Sequence, residues 1–217
     1  MRFALVNGEK REAKPELKGI CPNCESEMIP KCGKIKIWHW AHKGQPPCDP
    51  WWESETDWHR NWKNNFPKEW QEVTHIDEQS GEKHIADVKN PFGLILEFQH
   101  SPLKFEERIA REKFYDNLIW IVDGIDNKPY FNISISSKPI QDKPLVYKIN
   151  WYGRSKIFHN WIDSNARVYI DFGEDVLWRL LLFDKRKKVG ALGPIHKYMF
   201  IEDCLTGTEI SALRSDK

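Results

Sequence analysis

The stretch that most constrains this chain runs from residue 84 to residue 99, HIADVKNPFGLILEFQ. It reads as two short strands joined by a reversal at Asn90-Pro91-Phe92-Gly93, where proline fixes the backbone and glycine frees it. Asp87 falls in the first strand, and Glu97 and Gln99 fall in the second, after the apolar run Leu94-Ile95-Leu96. Side chains alternate along a strand, so Glu97 and Gln99 share one face and Phe98 takes the other. A carboxylate from each of two neighbouring strands offers paired hard oxygen ligands, the chemistry that Mg2+ prefers. The same pattern also describes two solvated charges on a hairpin, so the flanking sequence has to decide.

Four of the five cysteines crowd into residues 21–48. Cys21-Pro22-Asn23-Cys24 forms a C-x2-C knuckle, and His39-Trp40-Ala41-His42 follows fourteen residues later. Thiolate and imidazole suit zinc, and a closed structural site needs four such ligands. Cys21, Cys24, His39 and His42 are the expected set, with the two histidines one helical turn apart; Cys32 and Cys48 compete for a place. A structural Zn2+ with four protein ligands has no open position, so this module is expected to grip or brace and not to catalyse. Before it, Asn7-Gly8 marks a β-hairpin over residues 2–13. After it, the Pro- and Gly-rich link 43–50 separates the module from the rest.

Residues 51–65 read as a helix capped by Asp49 or Ser54 and ended by Phe66-Pro67, with Glu55, His59 and Lys63 along one face. That face alone describes an exposed ion-paired surface. Residues 72–76 form a strand, and a loop at 77–81 leads to the Asp87 strand. Pro102 opens a helix through Asn117 with Arg108, Arg111 and Tyr115 on one side. Residues 118–123, LIWIVD, form a continuous apolar strand of the kind covered on both faces. Further on, 130–136, 168–172 and 197–201 read as strands, and 174–183, EDVLWRLLLF, as an apolar helix. The basic run 184–188 is expected to be a solvated loop before a nucleic-acid contact, and 211–217 a frayed end.

The Cys21/Cys24 and HWAH segment, SETDWHRNWK, HIADV, LEFQHS, REKFY and LIWIVDG, in that order, resemble the competence protein CoiA-like family. More widely they resemble the PD-(D/E)xK, or restriction-endonuclease-like, nucleases. The resemblance covers roughly residues 1–125 and lies in the order of the motifs. It implies an α/β (α+β) fold with a restriction-endonuclease-like αβββαβ core, preceded by a zinc-ribbon-like module and followed by an α+β extension. It implies a metal-dependent nuclease acting on DNA, whether single-stranded, duplex or branched. Asp87 and Glu97 would hold Mg2+ or Mn2+, and Glu55 from the first helix would bring a further carboxylate, with Glu53 the weaker candidate. His59 would orient a second ion or accept a proton. Arg111 and Tyr115 would lie near the substrate, although Arg111 equally suits a salt bridge to Glu107 or Glu112. Gln99 departs from the superfamily, which usually has lysine there; an amide positions a water but brings no positive charge.

These readings divide the chain into a zinc-binding module (1–50), a nuclease-like core (51–125) and a C-terminal extension (126–217). A formal net charge of +1 gives no global signal for nucleic acid, so affinity has to come from a local patch. Seven of the 11 tryptophans fall between Trp38 and Trp70, a clustering expected of core packing before base stacking. No apolar run is long enough to span a membrane, and the N-terminal segment is too quickly charged for a signal peptide. A cytoplasmic protein is therefore expected, and metal explains the cysteines better than disulfides do. The rival readings are a DNA-binding accessory factor that keeps the fold with little or no cleavage, and a purely structural zinc-ribbon interaction protein.

Overall fold

The computed structural model describes residues 1–133, 141–142, 145–151, 160–161, 163–184, 186–187, 189–208 and 210. The fold is α+β and mostly sheet, with fifteen strands and three α-helices among the described residues. It divides into two compact units, Met1–Lys89 and Asn90–Lys217, a different division from the three segments drawn from motifs. None of the described helices is long and apolar enough to cross a membrane.

The first unit opens with β1 (Phe3–Val6) and β2 (Glu9–Glu12), paired in the register Val6↔Glu9. Asn7 and Gly8 both take positive φ, 52° and 83°, as a two-residue turn between twisted strands requires. With β3 (Gly19–Ile20), β4 (Glu27–Lys31) and β5 (His39–His42) they form an antiparallel sheet in the order β2-β1-β3-β4-β5. Trp40, 1% exposed, is the centre of its core, packed with Ala4, Cys21 and Met28. Its indole N–H, a donor costly to bury unpaired, donates to the Arg11 carbonyl at 2.8 Å. Gly19 lets the strand pass beneath the ring: a Cβ there would lie 2.7 Å from Ala4 Cβ and 3.0 Å from the Trp40 ring.

The helix expected over 51–65 is shorter, α1 (Asp57–Lys63), and its cap is neither Asp49 nor Ser54 but Thr56. A 3₁₀ turn (Lys68–Trp70) leads to β6 (Gln71–Ile76), which pairs antiparallel with β7 (Lys83–Lys89). Burial alternates along β7: His84, Ala86 and Val88 point inward, while Ile85, Asp87 and Lys89 form the more open face. The Glu72 carboxylate accepts the backbone N–H groups of Arg2 (2.8 Å) and Phe3 (3.0 Å), which ties β6 to the start of the sheet.

In the second unit, the Asn90 side-chain oxygen accepts the N–H groups of Phe92 (3.0 Å) and Leu94 (2.9 Å), and Gly93 takes φ 82°. The expected turn is therefore built by asparagine and glycine together. Then come β8 (Ile95–Gln99), α2 (Phe105–Phe114) and β9 (Leu118–Asp123). The remaining elements are β10 (Phe131–Ile133), β11 (Gln141–Asp142), β12 (Leu145–Trp151), β13 (Arg167–Asp171), β14 (Val176–Asp184), β15 (Val189–His196) and α3 (Lys197–Thr206). Within this unit the sheet runs β10-β12-β15-β14-β13-β9-β8, with β11 paired to β12. The pairs β8–β9 and β9–β13 are parallel. Ile119, Trp120 and Ile121 are fully buried, as the apolar run of β9 requires.

Two expectations in this unit are corrected. Residues 174–183 do not form a helix; they enter β14, hydrogen-bonded on one side to β13 and on the other to β15. A short apolar run has no decisive periodicity, and pairing on both edges decides it. Residues 197–201 are not a strand but the start of α3, which buries Phe200 and Cys204, one helical turn apart, and ends at Gly207 with φ 71°. In the basic run, Asp184 accepts the N–H groups of Arg186 (2.9 Å) and Lys187 (3.0 Å), a turn closed by its own aspartate. Residues 134–136, Lys185, Lys188 and the segment 211–217 lie outside the described residues.

Candidate metal and carboxylate sites

The cysteine knuckle sits between β3 and β4. Cys21 N–H donates to the Ser26 carbonyl (2.9 Å), and Glu25 N–H to the Cys21 carbonyl (3.0 Å), which folds the loop so that both thiols face one point. His42 at the end of β5 and Cys48 in the following loop complete the group. The ligand atoms of Cys21, Cys24, His42 and Cys48 lie within 4.8 Å of one another. Cys21 Sγ and Cys48 Sγ are 3.7 Å apart, and Cys24 Sγ and His42 Nε2 are 3.2 Å apart. A tetrahedral zinc with ordinary Zn–S and Zn–N bonds has S···S edges of about 3.8 Å and S···N edges of about 3.5 Å. Donor type, number and spacing thus fit a structural metal such as zinc. Burial pushes the Cys48 thiol up to about 12 and raises that of Cys21. Burial also works against charge on Cys24, but hydrogen bonds from Ser26 and His42 bring it down to about 6.

The fourth ligand differs from the expected set: Cys48 takes the place assigned to His39. HWAH is a strand, not a helical turn, so positions three apart point to opposite faces. His42 shares the face of Trp40, on the side of Cys21, while His39 turns away and its Nδ1 lies 2.8 Å from the Ile37 carbonyl. The loop carrying Cys48 is held by the next residue. Asp49, 5% exposed, accepts the N–H groups of Ile85 (2.7 Å) and Trp51 (2.9 Å) and pairs with His84 Nδ1 (2.9 Å), over which the Trp51 ring is stacked.

A second constellation of the first unit surrounds Lys63. Its ammonium lies 2.6 Å from Glu55, 3.2 Å from Glu72 and 3.7 Å from Asp87, and its side chain is 3% exposed. Burial alone would discharge this lysine, but the carboxylates of Glu72, Asp87 and Glu55 raise its pKa above the ordinary value. Burial works against the Glu72 anion as well. Lys63 and the N–H groups of Arg2 and Phe3 outweigh it and bring the pKa to about 2. Glu55 is likewise lowered, against its burial, by Lys63 and Arg60. Sequence reasoning placed Lys63 on the face of Glu55 but gave it no role, and it passed over Glu72. Glu55 was expected on the first helix but precedes it, so it is the chain's entry into α1 that brings it to Lys63, not a shared helical face. His59 is buried and serves the helix: its Nδ1 accepts the Thr56 N–H (3.2 Å), and its own N–H donates to Thr56 Oγ1 (3.4 Å). Glu53 lies 3.9 Å from His59 Nε2.

In the second unit, Glu97 is 5% exposed and pairs with Arg111 at 3.0 Å; Arg111 also binds Glu107. Arg111 therefore has the salt bridge foreseen for it, with Glu97 as an unforeseen second partner. Gln99, 4% exposed, donates from Nε2 to the Ser101 carbonyl at 2.9 Å. Tyr115 is buried at the end of α2.

These observations define a mixed α+β protein, mostly sheet, with an N-terminal Cys3His cluster suited to a structural metal. Residues 7–50, about a fifth of the chain, match the family model of the N-terminal domain of competence protein CoiA. Neither the comparison with curated proteins nor that with solved structures gives a match.

Proposed function

We propose that this chain is a divalent-metal-dependent nuclease that hydrolyses phosphodiester bonds in DNA, similar to CoiA-like DNA-processing proteins. The observation that carries the reading is the Lys63 ammonium held beside Asp87 together with Glu55 and Glu72. A buried cation among carboxylates is costly to assemble and is a recurrent sign of a functional site.

The motif carboxylates named from the sequence offer the hard oxygen donors that Mg2+ or Mn2+ takes. Such an ion, when bound, polarises the scissile phosphate and acidifies a water. Lys63 holds Asp87 in place through their ion pair at 3.7 Å. The match over residues 7–50 supports the CoiA relationship, and the Cys3His cluster supports a zinc-braced N-terminal module.

The accessory-factor reading has its own support. Glu97 is already neutralised by Arg111, and the Gln99 amide is engaged by the Ser101 carbonyl. Groups spent on internal contacts in this way are what a factor that keeps the fold without cutting would show. The deciding experiment is a cleavage assay with Mg2+ and Mn2+ on single-stranded, duplex and branched DNA. Metal-dependent cutting by wild type that Asp87→Ala abolishes supports the nuclease. Binding without cutting supports the accessory factor.

A further inference from the structure

Two of the segments that carry the resemblance, LEFQHS and LIWIVDG, contain residues that have so far no role, His100 and Asp123. The second unit brings them together. β8 and β9 run parallel with Gln99 beside Val122, so His100 and Asp123 follow at the same carboxyl-terminal edge of the sheet. That edge is where open α/β sheets bind their ligands. His100 Nδ1 lies 2.7 Å from Asp123 Oδ2, and Asp123 Oδ1 accepts the Ile125 N–H at 3.0 Å. A carboxylate only accepts, so Nδ1 carries a proton here and Nε2 is the nitrogen whose proton changes in use. The imidazole is thus oriented by a carboxylate that the backbone itself holds. The His100 side chain is 40% exposed and that of Asp123 10%, so the ring can be reached while its carboxylate is sheltered.

A cavity of ≈ 200 Å³ opens at this edge, lined among others by Gln99, His100, Asp123, Asn127 and Asn160. It is smaller than a site for a whole small-molecule ligand and suits one group of a longer chain. Asp123 is the one acid among its lining residues, and it is paired with His100, so no uncompensated carboxylate opposes a phosphate. An ion pair this open adds little to stability, and the fold alone does not account for it. A carboxylate-backed imidazole also stands behind metal sites, but the described residues bring three or more ligand atoms together only in the Cys3His cluster. Proton transfer fits better: an imidazole oriented by a third group, at the wall of a cavity, is its recurrent geometry. The nuclease reading supplies an acidified water for the attack and supplies no proton for the oxygen that leaves.

We propose that His100 is the general acid of the hydrolysis, that Asp123 is its positioning residue, and that the cavity beside Gln99 receives the leaving side of the phosphodiester. This rests on the nuclease reading above and deepens it. Water attacks phosphorus and forms the new P–O bond, and the P–O bond to the leaving oxygen breaks. The leaving oxygen takes the Nε2 proton of the His100 imidazolium and departs as an alcohol. The ring is left neutral, with its remaining proton on Nδ1 facing Asp123. The proton given up by the attacking water passes to solvent, and a solvent proton restores the ring.

The test is a leaving-group comparison under single-turnover conditions, with the zinc-loaded full chain and Mg2+ or Mn2+. The substrates are a labelled DNA oligonucleotide and two versions of it in which the 3′ or the 5′ bridging oxygen at the cut bond is sulfur. A thiolate leaves without the proton that an alkoxide needs. His100→Ala and His100→Gln should each slow cutting of the ordinary DNA by about 10²- to 10⁴-fold, and cutting of one sulfur version by less than about tenfold. The version that restores the rate names the leaving oxygen. Asp123→Asn keeps the shape but removes the acceptor that sets the ring, so it should be slowed on ordinary DNA and relieved by the same sulfur. Zinc content and the thermal transition should not change in the His100 variants, and His100→Gln serves if the alanine variant does not fold. Equal slowing on oxygen and sulfur overturns the proposal, because a merely structural or binding role has that signature. Wild-type rates in both His100 variants, with Asp87→Ala inactive, overturn it and leave the nuclease reading standing. A wild-type chain that cuts none of the three substrates removes both.

Discussion

The Lys63 ammonium lies 3.7 Å from the Asp87 carboxylate. The contact joins the last residue of α1 to the more open face of β7. Three further hydrogen bonds fix the arrangement from the other side: Glu72 receives Lys63 and the N–H groups of Arg2 and Phe3. The first unit is thereby bound through buried charge as well as through the Trp40 core.

That network sets the pH range of the first unit. Glu72 has a folded pKa of about 2, below the ordinary 4.5. Its contribution to stability is therefore fully present above about pH 4.5 and is lost as pH falls from there toward 2. Lys63 is shifted upward, so its contribution is present below its ordinary 10.5 and is lost only as pH rises beyond that value. A stability plateau between these limits is expected in thermal melts followed by circular dichroism. Lys63→Met leaves the buried carboxylates without their cation, at a cost of about 3–5 kcal/mol. It should also move the acid limb to higher pH, because Glu72 then loses the charge that holds it down. An unchanged acid limb in a folded Lys63→Met variant would remove Lys63 as the organiser of this site.

Metal analysis separates the two versions of the zinc site. Cys48→Ser should remove or strongly weaken one tightly bound zinc per chain, since Cys48 Sγ is 3.7 Å from Cys21 Sγ. His39→Ala should keep it, since that ring faces the Ile37 carbonyl. Zinc lost in the histidine variant and kept in the cysteine variant would restore the ligand set read from the sequence.

Gly19 gives a sharper test of the N-terminal core. A Cβ at this position meets Ala4 and the Trp40 ring at 2.7 and 3.0 Å, and neither the strand nor a buried indole yields easily. Gly19→Ala should cost about 1–3 kcal/mol, the usual penalty for overpacking. Chemical denaturation should show a lower midpoint with an unchanged slope.

The N-terminal hairpin and the elements from β6 to β9 were legible because each carries a local signal. Asn7-Gly8 dictates its turn, Asn90 to Gly93 dictate another, and LIWIVD has no polar face to expose. Beyond β9 the signals are uneven: 168–172 reads as a strand and falls in β13, but the next two elements do not read true. β14 is apolar at nearly every position, so only its pairing with β13 and β15 distinguishes it from a helix. The aromatic and β-branched residues of KYMFI argue for a strand, but Phe200 and Cys204 at helical spacing, with Gly207 behind them, decide for α3. The metal cluster was legible in kind because thiols and imidazoles were crowded together. It was misread in one member because HWAH was given the period of a helix. Lys63 was missed because its partners Glu72 and Asp87 are distant in sequence, and no spacing rule brings them to α1.

The decisive prediction concerns cleavage itself. Asp87→Ala and Glu97→Ala should each abolish divalent-metal-dependent cutting while leaving zinc content unchanged, because each removes a carboxylate that the nuclease reading assigns to metal-assisted hydrolysis. Their structural effects should differ. Asp87 is a quarter exposed, so its loss is tolerated; Glu97 is buried against Arg111, so its removal takes one of two carboxylates from a buried guanidinium and lowers the melting temperature as well. Glu97→Gln, which keeps the shape and can accept a hydrogen bond from Arg111, separates the lost charge from the lost packing and should also be inactive. Gln99→Ala should lower the rate less completely, since positioning is lost but the carboxylates remain. Gln99→Lys should hold or raise activity if the buried side chain is accommodated. Measured as single-turnover rates on labelled oligonucleotides with Mg2+ and Mn2+, these variants order the residues by role. Equal cutting by wild type, Asp87→Ala and Glu97→Gln identifies a contaminating nuclease and leaves the chain as a binding factor.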